Sequence, residues 1–351
     1  MITALTDTPP RKRPFSQQID PLDFELATAE EKQQQIRQRE SVSFMRDAMR
    51  RLARNKLAMV CLCVIVVCAL VSFITPYFYP YTYSQQDVTR AYMRPFALSQ
   101  KEQARIDQGM SVFPHIMGTD ALGRDYAIRV IYGMRISLMV GLFSALIVIV
   151  IGILYGSISG YFGGRVDLIM MRIVDIIYAL PDVLIVILLS VAIHDIVGSS
   201  RNSMILRLGS GMISIFIVFG LLYWVGMARQ VRGQILSIKE QEYVLASRAI
   251  GAKASRIIRK HMIPNCVSII IIIAAMQIPS AIFTESFLSF LGLGVSMPMP
   301  SLGSLASDAR SGLVSYPFLL FYPAAAIFII VLSFNLLGNG LRDAFDPKLR
   351  S

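Results

Sequence analysis

Polar side chains capable of chemistry occur inside otherwise apolar runs of this chain. Asp182, Gln277 and Glu285 each lie in such a run. A carboxylate at membrane depth costs about 2.5 to 3.5 kcal/mol on insertion scales, so it should face protein or a watery path rather than lipid. These three residues are therefore candidates for the lining of a polar pathway, and the two carboxylates are candidates for a proton or ion relay.

Asp175 precedes Asp182 by two helical turns, which places both carboxylates on one face of a predicted helix. Two interpretations of Asp175 stay open. It either extends the polar lining or pairs with Arg172, one turn away, at the membrane interface.

Catalytic chemistry finds little support in the sequence. None of the three histidines is spaced with an acid or a cysteine inside an apolar run, so no triad is visible. The turn GTDALGRD at residues 118–125 falls well short of a calcium-binding loop, and we expect no metal site. The chain has no Gly-Lys dipeptide and hence no Gly-Lys-Ser/Thr phosphate loop, so ATP would have to be hydrolysed elsewhere. We therefore do not expect an enzyme.

A basic, helix-patterned segment, Glu242 to Asn265, lies between two strongly apolar runs. Its central Gly251 would cost a continuous helix about 1 kcal/mol relative to alanine, so it predicts a bend between two short helices. From the residues alone, a surface helix on anionic lipid and a handle for a partner protein are both open. Pro264 begins the next apolar run. Read as a helix, the segment has one apolar stripe, formed by Tyr243, Ala246, Ile250, Ala254 and Ile257.

The composition indicates what kind of protein carries these residues. Apolar residues make up 54% of the 351 residues and charged residues 16%, well below the roughly 25% charged content of a soluble domain. The net charge of +11 would by itself suit a nucleic-acid partner, but its distribution relative to the apolar runs favours a membrane. We therefore predict an all-α integral membrane protein without a nucleic-acid partner.

A helix needs about 20 apolar residues to cross roughly 30 Å of hydrocarbon. Most of the 34 lysines and arginines fall on one side of the apolar runs if the amino terminus is cytoplasmic. Since cytoplasmic segments carry an excess of basic residues, we predict that both termini are cytoplasmic. The runs that qualify as spans are residues 57–75, 136–159, 173–193, 212–228, 267–291 and 318–338.

The segments between the spans complete the predicted organisation. The polar amino-terminal segment has little apolar periodicity, which predicts a disordered cytoplasmic tail, and the basic segment after it predicts an amphipathic helix at the membrane surface. The five later spans make a core that contains the longest cytoplasmic loop. The predicted division is tail 1–40, surface helix 41–56, first span 57–75, external loop 76–135, core 136–345 with its loop at 229–265, and cytoplasmic tail 346–351.

The loop sequence resembles the cytoplasmic loop of ABC importer permeases. That family's pattern runs Glu-Ala-Ala, three residues, Gly, nine residues, Ile, any residue and Leu-Pro. Leu245 replaces the family's glutamate and His261 its isoleucine, so a role that needs the acidic group has no residue here. The positions that stand at the family's spacing are Leu245, Ala246, Ser247, Gly251, Ile263 and Pro264.

Four further stretches are similar to the C-type membrane subunit of dipeptide and oligopeptide importers. Together the resemblance covers residues 41–351. It implies the type I ABC importer permease architecture, with six transmembrane helices in the cytoplasmic membrane. The four stretches are GTDALGRD (118–125), GGRVDLIMMRIVDIIYALP (163–181), ESFLSFLGLGV (285–295) and FNLLGNGLRDAFDPKLR (334–350).

The resemblance also implies a function and a set of partners. The chain would be a transmembrane subunit that moves di- or oligopeptides across the bilayer, beside a second homologous permease, two ATPases and an external binding protein. The two short helices of the loop would seat in a groove on an ATPase, which would use the ATP and Mg²⁺, so this chain would bind no cofactor. The residues implied in coupling are Leu245, Ala246, Ser247, Arg248, Ile250, Gly251 and Pro264.

Two alternatives remain. An ion-coupled secondary transporter would use Asp175, Asp182 and Glu285 as relays and would work without ATPases. An intramembrane enzyme would need a constellation that the histidines do not supply. The cargo also stays open between dipeptides, longer peptides, glutathione and nickel chelates, because related systems are similar in these motifs.

Overall fold

The computed structural model describes residues 44–198, 210–295 and 299–345. The tails predicted at 1–40 and 346–351 lie outside these ranges. Within them the chain consists of helices, turns and loops without a β-strand, so the predicted all-α class is confirmed.

The first two helices are separated by a single capping residue. Helix α1 runs Phe44–Arg54 and α2 runs Lys56–Phe78. Asn55 lies between them, and its side-chain Oδ1 accepts a hydrogen bond from the Ala58 N–H at 3.2 Å. This bond satisfies one of the free donors at the start of α2, so the chain changes direction there without leaving the N–H unpaired.

The segment that follows α2 is a structured loop. It contains a short 3₁₀ turn, Val88–Arg90, and helix α3, Gln100–Asp107. Ser99 and Glu102 form a capping box at the start of α3, in which each side chain accepts a hydrogen bond from the other residue's backbone N–H.

Helix α4, Tyr126–Phe162, is the longest described helix. It begins at Tyr126 rather than at residue 136, where the apolar run starts. The Asp125 side chain accepts a hydrogen bond from the Ile128 N–H at 2.9 Å and so caps the helix at this earlier point. Residues 126–135, which the sequence places in the external loop, are therefore helical.

Small residues of α4 bring it close to the helix α8, Trp224–Lys239. A Cβ atom added at Gly152, Gly156 or Gly160 would collide with the side chains or backbone of α8. These small residues therefore let α4 and α8 approach each other closely.

The third predicted span is not one continuous helix, which corrects the sequence-based expectation for residues 173–193. Helix α5, Gly164–Ala179, and helix α6, Asp182–Gly198, meet at a bend of 93°. The residue before a proline avoids the helical region, and Leu180 accordingly has ψ 142° ahead of Pro181. Proline also lacks the N–H that would continue the helix.

The fourth span is longer than the apolar run at 212–228. Helix α7, Ser210–Val218, passes through a π turn, Phe219–Tyr223, into α8, and together they continue to Lys239. The basic residues after residue 228 obscure this helix in the sequence because they resemble a solvated loop.

The main core lies between α4 and the span formed by α7, the π turn and α8. Val140, Val148, Phe219, Val231 and Ile235 are fully buried there.

After α8 the chain alternates short and long helices. The remaining elements are α9 Glu242–Ala249, α10 Ala254–Ile257, a π turn Ile258–Met262, α11 Ile263–Asn265, α12 Val267–Phe290, α13 Leu302–Asp308, a 3₁₀ turn Ala309–Gly312 and α14 Phe318–Phe345.

Five helices in the described part of the chain are long and apolar enough to cross a membrane, and a sixth span exists if the bent pair α5 and α6 is counted as one. The architecture therefore agrees with a multi-pass membrane protein of six spans, the third of which is broken. The five continuous helices are Lys56–Phe78, Tyr126–Phe162, Gly211–Lys239, Val267–Phe290 and Phe318–Phe345.

Candidate functional site

The bend predicted at Gly251 is present. Helix α9 ends at Ala249 and α10 begins at Ala254, and Gly251 between them has φ +79°. The Ala252 N–H donates to the Ser247 carbonyl at 3.1 Å, which closes the end of α9. No atom would lie within 4 Å of a Cβ at Gly251, so the backbone conformation and not crowding requires glycine there.

The two short helices are held by one buried residue each. Val244 on α9 and Ile257 on α10 are both fully buried and belong to the main core. Between them the bend projects outward, and Ile250 at its tip is 84% exposed. The single apolar stripe expected from the sequence is therefore wrong, because the bend turns Ile257 inward while Tyr243 and Ile250 stay exposed.

The predicted coupling residues divide into two groups. Leu245, Ala246, Ile250 and Gly251 are exposed, as is Pro264 at the start of α11. The other group faces the chain itself and consists of Ser247 and Arg248. The Ser247 hydroxyl donates to the Tyr243 carbonyl at 2.7 Å, and the Arg248 guanidinium lies 4.8 Å from the centre of the Tyr161 ring.

A basic cavity of about 630 Å³ lies beside the bend. The side chains of Lys253, Arg256, Arg259 and Lys260 line it and are exposed. The loop thus presents an apolar tip next to a cationic surface.

The base of the loop is fixed to the spans by ion pairs. Arg232 on α8 binds Asp167 on α5 through two hydrogen bonds of 2.5 Å each, and the Ser159 hydroxyl of α4 donates to the same carboxylate at 2.5 Å. Paired geometry of this kind is the strongest form of arginine–carboxylate contact. It joins α4, α5 and α8 at the Phe162 end of α4.

Asp175 pairs with Arg229 and not with Arg172. The Arg229 Nη2 lies 2.7 Å from the Asp175 Oδ1, and its guanidinium lies 4.2 Å from the centre of the Tyr178 ring. The ion-pair interpretation of Asp175 is thus the one that the structure favours, with a partner that is distant in sequence.

The three residues predicted to line a path have different surroundings. The Glu285 carboxylate is fully buried and accepts hydrogen bonds from the hydroxyls of Ser137 and Ser289 at 2.8 Å and of Ser286 at 3.3 Å. Hydroxyl groups from α4 and from α12 itself therefore enclose the Glu285 carboxylate within this chain. Gln277 is half-buried, and its Nε2 has no hydrogen-bond partner among the described residues. The Asp182 backbone begins α6, and its side chain lies outside the described part.

A cavity of about 430 Å³ lies where two irregular backbone segments meet. Tyr178 and Leu180 at the bend of the third span line one side, and Leu222 and Tyr223 of the π turn line the other. Irregular backbone at membrane depth is tolerated only where protein or water covers it. The exposed face at this break is therefore a surface that needs a cover other than lipid.

Sequence reasoning missed a buried charged cluster at the Tyr126 end of α4. Arg129 and Arg124 both bind the Asp120 carboxylate, Arg124 through its Nε at 2.6 Å, and Arg129 Nη2 also lies 3.5 Å from Asp308. Arg129 is only 2% exposed. The turn that contains Asp120 and Asp125 predicts a cap on a following helix, but no pattern in the sequence indicates that Arg129 in that helix is buried.

A second buried group adjoins this cluster. The His115 Nδ1 lies 2.7 Å from the Asp125 Oδ2, and its Nε2 lies 3.2 Å from the Glu102 Oε1. Burial raises the pKa of Glu102, but hydrogen bonds from Ser99 together with the charges of Arg90 and His115 outweigh it, so the pKa lies below its ordinary value. These contacts fasten α3 to the capped start of α4.

Known protein families account for both this architecture and the loop. Residues 149–351 match the family described as "Binding-protein-dependent transport system inner membrane component", and residues 43–95 match the "N-terminal TM domain of oligopeptide transport permease C". The first match alone covers more than half of the chain. The fold and the loop thus define an inner membrane permease component, and the chain belongs to the binding-protein-dependent transport system permeases.

Curated relatives are similar over most of the chain. The oligopeptide transport system permease protein OppC of Bacillus subtilis (strain 168) is 43% identical over 327 residues, covering 93% of this chain and 97% of its own length. The dipeptide transport system permease protein DppC of the same strain is 44% identical over 313 residues, covering 89% and 88%. The glutathione transport system permease protein GsiD of Pectobacterium atrosepticum is 40% identical over 261 residues, covering 74% and 81%. Similar identities across three named cargoes mean that overall similarity does not select the cargo.

Proposed function

We propose that this chain is a transmembrane subunit of an ATP-driven importer of peptides across the inner membrane. The family supports a permease, and the oligopeptide and dipeptide permeases among its relatives support a peptide cargo. The observation that carries the proposal is the two-helix bend at Gly251, anchored by Val244 and Ile257 and exposing Ile250 at its tip.

The bend is suited to receive force from a separate ATPase. An exposed apolar residue beside a basic surface is a typical centre for a protein contact. Behind it, the Arg232–Asp167 pair joins α4, α5 and α8, so a push on the loop moves packed helices as one body. We place Leu245, Ala246, Ile250 and Gly251 at the contact with the ATPase. Ser247 and Arg248 stabilise the bend through their contacts within the chain.

The partners follow from this role. Two ATPases bind ATP and Mg²⁺, this chain binds neither, and an external binding protein delivers the peptide. A second, homologous permease covers the face at the break between α5 and α6, where irregular backbone requires a cover. Both termini lie in the cytoplasm, as the distribution of lysine and arginine suggests.

An ion-coupled transporter is less well supported. Asp175 is neutralised by Arg229, and Glu285 is enclosed by serine hydroxyls within this chain. Glu285 is closed off from any open path in this conformation, and Asp175, although its side chain is 54% exposed, already has Arg229 as its counter-ion. Asp182 and Gln277 remain predicted lining residues.

Uptake into proteoliposomes tests the proposal. Vesicles that contain this chain with its co-expressed subunits and binding protein should accumulate a labelled peptide only when the ATPase face is supplied with ATP and Mg²⁺. An imposed proton or sodium gradient without ATP should give no accumulation. Accumulation by vesicles that contain this chain alone, driven by such a gradient, would contradict the proposal.

A further inference from the structure

A cavity of about 330 Å³ opens at the Tyr126 end of α4. The loop at Asp120 to Arg124 forms one wall, the first turns of α4 form another, and Ser307 to Gly312 close the third. Its size lies at the lower end of the range for small-molecule sites, which suits a short segment of a ligand. By the proposed topology, this cavity faces the outside of the cell.

Four charged side chains line the cavity, two of each sign: Asp120, Arg124, Arg129 and Asp308. Their charges cancel, so the cavity offers no net attraction to a simple anion or cation. Separated positive and negative groups instead favour a ligand that itself carries separated charges or a charge next to a dipole.

Asp120 is already fully engaged. Its Oδ1 accepts the backbone N–H groups of Leu122 at 2.9 Å and Arg124 at 3.0 Å, and its Oδ2 accepts from the Arg124 Nε and from Arg129. This carboxylate therefore holds the loop and the two arginines in place and has little capacity left for a ligand.

Asp308 differs from Asp120 because its carboxylate is accessible. Its side chain is 40% exposed, and its contact with Arg129 Nη2 is long, at 3.5 Å. Burial raises the pKa of Asp308, and the lowering effects of Arg129 and Arg124 do not offset that burial. A further cation beside it would be stabilised.

Arg129 supplies the complementary donor. It is 2% exposed and lines the cavity, and its Nε has no hydrogen-bond partner among the described residues. A buried guanidinium N–H without a partner costs about 1 to 3 kcal/mol or more, so an acceptor from a ligand would be favoured there.

Building on the proposed function, we propose that this cavity binds the free amino end of a peptide. The ammonium lies against Asp308, and the first carbonyl, or the carboxylate of a very short peptide, accepts from the guanidinium of Arg129. Dipeptides, longer peptides and glutathione all carry a free ammonium beside a carbonyl or carboxylate, so one site serves the cargoes that the relatives are named for.

Peptide binding to the permease complex without its binding protein tests this site. The complex in nanodiscs is titrated with Ala-Ala-Lys labelled on the lysine side chain, and with the same peptide acetylated at its amino end, by fluorescence anisotropy. The wild type should bind the free peptide about tenfold or more tightly than the acetylated one, the value of one charge-assisted hydrogen bond. Asp308→Asn should remove that difference by weakening only the free peptide.

Two further variants separate a ligand site from a structural ion pair. Asp107→Asn removes the same charge from an exposed position outside the cavity, at the end of α3, and should leave binding unchanged. Ser311→Trp adds a large side chain to the cavity wall and keeps all four charged residues, at the loss of one hydrogen bond of 3.2 Å from the Ser311 hydroxyl to the Asp308 backbone carbonyl. It should reduce binding of the free peptide as far as Asp308→Asn does. Equal binding of both peptides by the wild type, or unchanged binding in both Asp308→Asn and Ser311→Trp, would overturn the site.

ATP-driven uptake by the same complexes, reconstituted into closed proteoliposomes, distinguishes this proposal from the proposed function. If the wild-type complex takes up peptide with its binding protein but shows no preference for the free amino end in nanodiscs, the cavity proposal fails and the transport function stands. If the wild-type complex takes up no peptide under any condition, both fail.

Discussion

The two ends of α4 show opposite ways of using polar and apolar residues. At the Tyr126 end, the charged residues Asp120, Arg124 and Arg129 are buried and bind one another within the chain. At the Phe162 end, two short helices are held by single buried residues and expose Ile250 to the surroundings. The first end pairs most of its charged groups within the chain, although the Arg129 Nε has no partner among the described residues. The second end leaves apolar surface exposed, which is what a contact with another protein requires.

This difference predicts that substitutions at the two ends will fail in different ways. A change at the Tyr126 end should cost stability first, since it leaves a buried charge without its partner. A change at the exposed positions of the Phe162 end should cost transport first, since only Val244 and Ile257 of the two short helices are buried in the core.

The largest effect is expected at Arg129. Arg129→Ala leaves Asp120 buried without one of its two guanidinium partners, which should cost about 3 to 5 kcal/mol of folding free energy. The measurement is thermal unfolding of the purified complex in detergent, together with the amount of chain in the membrane. Arg310→Ala, which removes an exposed arginine whose guanidinium lies 5.4 Å from the centre of the Phe290 ring, is the control and should cost at most about 1 kcal/mol. Equal stability of the two variants would show that the charged cluster is not a structural element.

The next effect is expected at the tip of the bend. Ile250→Glu puts a charge at the centre of the proposed contact and should cost about 2 kcal/mol or more of docking energy, roughly thirtyfold in ATPase affinity. ATP-driven uptake should fall accordingly while the unfolding temperature stays the same. Val314→Glu makes the same change at a residue that is 97% exposed on the other side and should leave uptake intact. An equal loss of uptake in the two variants would show that Ile250 is not part of a specific docking contact.

A smaller effect is expected from alanine at Gly251. The residue has φ +79°, where a side chain is strained by about 1 to 2 kcal/mol. Gly251→Ala should therefore lower the rate of uptake several-fold by altering the bend. Gly233 lies in helix α8 with open space around it, so Gly233→Ala tests the same added methyl group without that strain and should be neutral or slightly stabilising. If both variants transport alike, the left-handed backbone at Gly251 is not needed.

The smallest effect concerns the acid stability of the Tyr126 end. The pKa of Glu102 is lowered from its ordinary value of 4.5, so its ionised form stabilises the fold above that pH, and the contribution is lost as pH falls through the lower folded pKa. The difference in unfolding temperature between wild type and Glu102→Gln should thus be largest near neutral pH and shrink below about pH 4. A difference that stays constant over this range would show that the Glu102 charge does not contribute.

How much of this could be read from the sequence depends on how local each feature is. The bend needs only Gly251 and its neighbours, so its position was predictable. Which apolar residues of the loop are buried was not predictable, because the packing of Val244 and Ile257 depends on the bend itself. Pro181 is visible in the sequence, but the apolar run around it predicts one continuous span, so the break in the helix was not predicted.

The charged cluster could not be predicted as a whole because one of its members is far from the others in the chain. Asp120 and Arg129 lie close together in sequence, but Asp308 comes from the segment after α12, and no local pattern links it to Arg129. The same holds for Arg229 with Asp175 and for Ser137 with Glu285. Sequence periodicity reports which face of a helix is apolar, but it does not report which helices meet.

Crosslinking at the bend tests the central claim most directly. In a chain whose four cysteines are replaced, a single cysteine is placed either at Ile250, which is 84% exposed, or at Val244, which is fully buried. With the ATPases co-expressed, Ile250→Cys should form a crosslink to an ATPase subunit that changes in yield when ATP is added, and Val244→Cys should form none. A cysteine at Ile250 that reacts with a soluble reagent but never with an ATPase would contradict the proposed coupling.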